Sequence, residues 1–180
     1  MVKLLNTVAH TAKNGFPPVA GGKPKALILG SMPGVESLRK GQYYAHPRNS
    51  FWFILGRLFK FDPAINYGKR KEILKSNHIA LWDVLMACER EGSLDSSIID
   101  ASLVENDFLS FYAKYQTIRY VFFNGARAEK EYKKRVLPVV QRKHPGIKYI
   151  RLPSTSPAMA SLTKEEKLSQ WSVILKRILK

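Results

Sequence analysis

The chain has 180 residues, 45% of them hydrophobic, which is enough for one domain with its own core and too few for two of comfortable size. Thirty Lys and Arg against fourteen Asp and Glu give a net charge of +16, spread along the whole chain rather than gathered in a tail, and this favours a polyanionic partner bound in a salt-dependent way. The single cysteine, Cys88, excludes an intrachain disulfide and a cysteine-ligated iron–sulfur cluster, and His10, His46, His78 and His144 are too scattered for a metal site, so neither metal nor cofactor is expected.

The first 18 residues lack the apolar core of an export signal and no segment approaches a membrane span. An intracellular protein follows, cytoplasmic in a prokaryote or nuclear in a eukaryote. Residues 1–24 end in a Gly/Pro-rich stretch and read as a surface lead-in to a single domain covering 1–180. Ala26 to Leu29 is a short apolar strand that ends at Gly30 and opens into Ser31, Met32, Pro33 and Gly34. Glycines around such a turn let backbone N–H groups approach a ligand, and in an open α/β sheet ligands bind beyond the carboxyl ends of strands. An ordinary strand-to-helix turn explains the same residues.

The stretch Gln42-Tyr43-Tyr44-Ala45-His46-Pro47-Arg48-Asn49 is polar and aromatic and leads into an apolar run, Ser50 to Phe59, that reads as a buried helix. Asn49 thus stands at a helix start, as a cap, as a chemical group, or as both, because its amide has more hydrogen-bonding positions than a cap consumes. Further strands are expected at 79–84, 119–123 and 147–152, and helices at 69–76, 102–115, 126–136 and 164–179. Strands alternating with helices predict an α/β fold, a three-layer αβα sandwich around a central, mostly parallel four-stranded sheet. The loop Leu152-Pro153-Ser154-Thr155-Ser156-Pro157-Ala158-Met159-Ala160 then returns to the sheet edge where the first turn lies. Its hydroxyl groups suit phosphate oxygens, and Met159 or its neighbours suit an apolar wedge in a base stack; a capped turn before the last helix is the alternative.

The strings GSMPG, QYYAHPRNSFW and LPSTSPAMA, with weaker matches in LWDV (81–84) and FFNGARA (122–128), resemble the uracil-DNA glycosylase superfamily, most closely its hypoxanthine-DNA glycosylases. The resemblance spans residues 26 to 171. It implies a monofunctional base-excision glycosylase that extrudes a damaged nucleotide, most simply hypoxanthine, and hydrolyses its glycosidic bond to leave an abasic site. Mismatch-specific uracil relatives carry a water-positioning Asn where this chain has Met32, whereas the hypoxanthine branch relies on the position of Asn49, which is therefore the expected catalytic residue.

By the same resemblance Tyr44 stacks on the base. Backbone groups of Ser31 and Met32, within the turn from Gly30 through Pro33 to Gly34, read its edge with help from Gln42 and Asn124, and His46 and Phe51 complete the pocket. The loop from Ser154 and Thr155 through Ser156, Pro157 and Ala158 to Met159 is the expected DNA-binding element. Glu36 and Asp83 are the nearest carboxylates in sequence and the candidates for a rival general base. The partner is single- or double-stranded DNA carrying a damaged base, met by a monomer. A glycosylase for uracil in mismatches or for another lesion, and a non-catalytic damaged-DNA-binding protein, remain as alternatives.

Overall fold

The computed structural model describes residues 12–89 and 102–179. Its elements in chain order are β1 (Ala12–Asn14), β2 (Ala26–Gly30), α1 (Val35–Lys40), α2 (Phe51–Phe59), α3 (Tyr67–Ser76), β3 (Ile79–Asp83), β4 (Leu85–Glu89), β5 (Val104–Glu105), α4 (Phe108–Lys114), β6 (Tyr120–Asn124), α5 (Ala126–Arg135), α6 (Leu137–Lys143), β7 (Lys148–Leu152), α7 (Lys164–Trp171) and α8 (Val173–Ile178).

Four strands pair in the order β3-β2-β6-β7, every neighbour parallel. All five residues of β2, and all five of β3, are buried. Successive strand residues face opposite ways, so both faces of these strands are covered, and their sequences run as unbroken apolar stretches instead of alternating. This is the α/β sheet flanked by helices that the strand–helix alternation predicts. Because the strands are parallel, Gly30, Asp83, Asn124 and Leu152 all end at one edge, with Gly30 opposite Asp83 and Asn124 opposite Leu152.

A second, antiparallel sheet, β1-β4-β5, has no counterpart in the sequence reading. Only Val84 separates β3 from β4, so one strand leads into another sheet with no turn signal between them. Residues 12–24, read as a surface lead-in, supply β1 and a bridge from Val19 to Leu81, while residues 1–11 lie outside the described residues. The helix expected over 102–115 begins only at Phe108. Val104 and Glu105 pair instead with β4, and the Asp107 side chain accepts from Ser110 N to start α4. The last helix divides at Ser172 into α7 and α8, and α1 and α6 were not foreseen.

Candidate active site

The first turn is built around what surrounds Gly30. A Cβ added there would collide with the Asp83 carboxylate and would lie 2.7 Å from the Tyr44 hydroxyl. The room that the missing side chain leaves is thus taken by the protein's own polar groups, and Asp83 and Tyr44 converge at the carboxyl end of β2. Gly30 O accepts from Val84 N at 2.9 Å and Ser31 O from Leu85 N at 3.1 Å, which ties the turn to the start of β4. Ser31, Met32 and Pro33 are buried, and Gly34 stands in extended conformation before α1. Glu36, in the first turn of α1, pairs with Arg39 and Lys40 at 2.7 and 2.9 Å. The hydrogen bonds from these two cations hold its carboxyl down at about 2, which makes it a feeble proton acceptor at neutral pH.

Residues 42–50 fold over this turn. Tyr44 has φ +53°, in the left-handed region that non-glycine residues seldom adopt. Its half-buried ring stacks on Phe51, centroids 3.9 Å apart and planes at 21°. Phe51 itself is wholly buried. Phe51, expected to touch the substrate, therefore backs one face of the Tyr44 ring from within the core. Tyr43 is locked beneath: its hydroxyl donates to Phe16 O and Pro17 O, its carbonyl accepts from Trp52 Nε1, and burial pushes its phenol far above the usual range. His46 Nδ1 accepts from Arg48 N at 3.2 Å, so in the neutral ring the proton sits on Nε2. Gln42 faces Arg70 of α3 at 3.5 Å, and Arg70 in turn lies over the Trp52 and Tyr67 rings.

Asn49 is half-buried, immediately ahead of α2. The helix cap is Ser50, one residue later than expected, and Asn49 Oδ1 accepts from Phe51 N at 3.0 Å. That bond fixes the amide plane while using one lone pair of the oxygen; among the described residues the amide NH₂ makes no hydrogen bond. Asn49 N also donates to His46 O at 2.9 Å, closing the tight turn before the helix.

Thr155, 1% exposed, joins three of the sequence motifs. Its carbonyl accepts from Ser50 N at 3.0 Å and from Ser50 Oγ at 3.2 Å. Its own N–H donates to Asn124 Oδ1 at 2.8 Å, and Asn124 Nδ2 donates back to Thr155 Oγ1 at 2.9 Å. Asn124, expected to help read the base, thus has both ends of its amide on Thr155, and the Thr155 N–H and hydroxyl are both engaged by it. Gly125 follows with φ +97°, and a Cβ there would meet Ser154 at 2.9 Å, so only glycine brings β6 and the loop after β7 this close.

Beyond Thr155 the loop is held by local bonds. Ser154 Oγ accepts from Ser156 N, and Ser156 Oγ from Ala158 N, both at 3.2 Å. Pro157 and Ala158 are exposed at the tip and Met159 is half-buried. From α7, Lys167 donates to Met159 O at 2.7 Å, and Trp171 Nε1 to Pro153 O at 3.0 Å. Lys167 is 4% exposed, and desolvation lowers its affinity for a proton. No local pattern marks this lysine, which in sequence reads as one more solvated helix charge. Ser50 was open to recognition, since serine caps as well as asparagine.

Four sheet-edge segments, the turn after β2, residues 42–50, the end of β6 and the loop after β7, therefore meet at one place. The sequence model of the uracil DNA glycosylase superfamily matches residues 17–176, and the chain belongs to that superfamily. Among particular relatives, it is 38% identical over 165 residues to the hypoxanthine DNA glycosylase of Methanosarcina acetivorans, covering 91% of this chain and 98% of that one. It is 45% identical over 117 residues to the hypoxanthine DNA glycosylase of Methanosarcina barkeri, covering 64% of this chain and 73% of the relative. A solution NMR structure of a protein from Methanosarcina acetivorans, provisionally named a uracil DNA glycosylase, superposes with a TM-score of 0.77 at 36% identity, over 94% of this chain and all of that one.

Proposed function

We propose that this chain is a monofunctional DNA glycosylase of base-excision repair that extrudes hypoxanthine from DNA, acts as a monomer, and hydrolyses the glycosidic bond with a water held by Asn49. The observation that carries the reading is the Asn49 amide, fixed by Phe51 N beside a half-buried Tyr44 ring at the sheet edge. Cleavage of an N-glycosidic bond builds oxocarbenium character on the sugar, so the attacking water needs a fixed position more than a strong base. The remaining lone pair of Asn49 Oδ1 supplies an acceptor for that water without adding a charge.

Extrusion costs a few kcal/mol and is cheaper for a mispaired deaminated base. On this reading the Tyr44 ring stacks on the base, and backbone groups of the turn from Ser31 to Gly34 meet its acceptor edge and stabilise negative charge on the departing purine. Ser156, Pro157, Ala158 and Met159 meet the duplex at the loop tip. Met32, standing where uracil-specific relatives place their water-positioning Asn, supports hypoxanthine over uracil.

The test is single-turnover base release from duplexes carrying one hypoxanthine or one uracil, for the wild type and Asn49→Ala. Hypoxanthine release that falls at least about a hundredfold in the variant, with lesion affinity retained, is the expected result. Faster release of uracil would reassign the substrate. Binding with no release of either base would make the chain a damaged-DNA-binding protein.

A further inference from the structure

The later turns of α2 border a concavity that the reading above does not use. Phe53, Gly56, Arg57, Lys60, Phe61 and Pro63 line a hollow of about 440 Å³. That is within the range that seats a small ligand or one unit of a polymer. Gly56 shapes it: a Cβ on this buried glycine would lie 2.7 Å from Phe61 O and 3.1 Å from the Pro63 ring, so its absence lets the chain fold back against the helix.

The walls are cationic. The Arg57 guanidinium stands 5.6 Å from the centre of the Phe53 ring, and the ammonium of Lys164, the first residue of α7, stands 5.5 Å from the same ring. Lys60 sits at the C-cap of α2 with φ +56°, a position where glycine would be free of strain and where this chain instead keeps a charge at the rim. Asp62 is the carboxylate among the lining residues, and it is engaged as an acceptor for Ala64 N at 2.8 Å.

We infer that this hollow holds the sugar–phosphate backbone of DNA on one side of the extruded base, phosphates meeting Arg57, Lys60 and Lys164 and a sugar resting on Phe53. The inference rests on the preceding reading in one respect, that the damaged nucleotide lies at Asn49. From Phe51, whose N–H holds the Asn49 amide, to Arg57 the helix advances roughly 9 Å at 1.5 Å per residue. Neighbouring nucleotides rise 3.4 Å along a strand, so the groove meets DNA about three nucleotides from the lesion. Charge complementarity and continuity with the start of α2 favour DNA over a protein partner.

The test compares wild type with Arg57→Glu/Lys60→Glu in salt titrations of binding. The probes are undamaged duplex and duplexes carrying 2′-fluorinated deoxyinosine, which resists cleavage, with the flank trimmed on either the 5′ or the 3′ side. The expected result is a Kd raised roughly tenfold and a log K against log salt slope shallower by about 2, both vanishing when one particular flank is removed. Arg57→Gln/Lys60→Gln should reduce the slope equally, which separates lost contacts from introduced repulsion. Lys130→Glu/Lys134→Glu, on the exposed side of α5, makes the same change in net charge and should have a smaller effect.

Equal slopes, an equal loss in the α5 pair, or a loss indifferent to which flank is trimmed would overturn the inference. An unaltered DNA affinity would leave the hollow to an acidic protein and equally overturn it. Because binding is read without base release, failure here is distinct from failure of the glycosylase reading, which would show as a wild type that releases no base.

Discussion

At Gly30 one methyl group decides whether the sheet edge can close. The Asp83 carboxylate and the Tyr44 hydroxyl occupy the space a Cβ needs, and neither is the pliant end of a long side chain. Gly30→Ala should therefore lower stability by about 1 to 3 kcal/mol, seen as a fall in Tm of roughly 2 to 12 °C, with base release reduced as Tyr44 is displaced. A variant with unchanged Tm would mean that Tyr44 and Asp83 move aside freely.

Tyr44 itself is held by a left-handed backbone and by Phe51 beneath its ring, so its direction is set before any base arrives. Tyr44→Ala should slow single-turnover release at limiting enzyme by roughly 5- to 150-fold, the equivalent of about 1 to 3 kcal/mol of stacking. Equal rates would move the stacking role elsewhere. The place of Asn49 was open to inspection because an amide at a helix start is conspicuous. That Phe51 would be sealed off, and that the Ser50 hydroxyl would turn to Thr155 O instead of to the first turn of α2, depends on how α2 docks against its neighbours, which no local pattern encodes.

Among the elements, β6 and the loop after β7 are joined through Asn124 and Thr155. Asn124→Ala leaves the Thr155 N–H and hydroxyl without their partner in a buried setting, a loss of about 1 to 3 kcal/mol, and should reduce both Tm and base release. Thr155→Val keeps the backbone bonds to Ser50 and Asn124 and removes only the hydroxyl, so it should cost about 1 kcal/mol and leave base release close to wild type. If the two variants lost activity equally, the backbone link between Thr155 and Ser50 would not be what aligns the site.

Whereas β7 is less buried and interleaves Lys148 and Arg151 with its apolar residues, strands β2 and β3 were readable because fully buried strands are continuous apolar runs bounded by Gly and polar residues. The second sheet was not. Leu85 to Glu89 follows β3 after one residue, and the two residues of β5 sit inside a segment whose apolar spacing suits a helix. Long-range pairing overrode local preference in both places. The same limit explains Asn124: as a sequence feature it was a polar group at a strand end, and its attachment to Thr155 spans 31 positions.

At the scale of the whole molecule, a net charge of +16 is an electrostatic commitment. Several carboxylates are already matched within the fold: Glu36 by Arg39 and Lys40, Glu72 by Lys75, and the buried Glu131 by Arg127 and Arg135. The surplus cations are left for phosphate. Each phosphate neutralised contributes about −0.9 to the slope of log K against log salt, so binding to undamaged duplex should show a slope steeper than about −2. A shallower one would mean that most of the positive charge never meets the DNA. Among the described residues no helix is long and apolar enough to cross a membrane.

The Thr155 carbonyl, which accepts from both the backbone and the hydroxyl of Ser50, has a consequence for fidelity. One oxygen joins the loop after β7 to the residue adjoining Asn49. The loop and the amide consequently share a reference point, and if the tip meets the duplex and Asn49 holds the water, as proposed, an ill-seated duplex that lifts the tip would also misplace that water. Discrimination against undamaged DNA would then act on the chemical step as well as on capture. A poor substrate that does enter the pocket would be held without being cut, and genomes present vastly more normal bases than damaged ones.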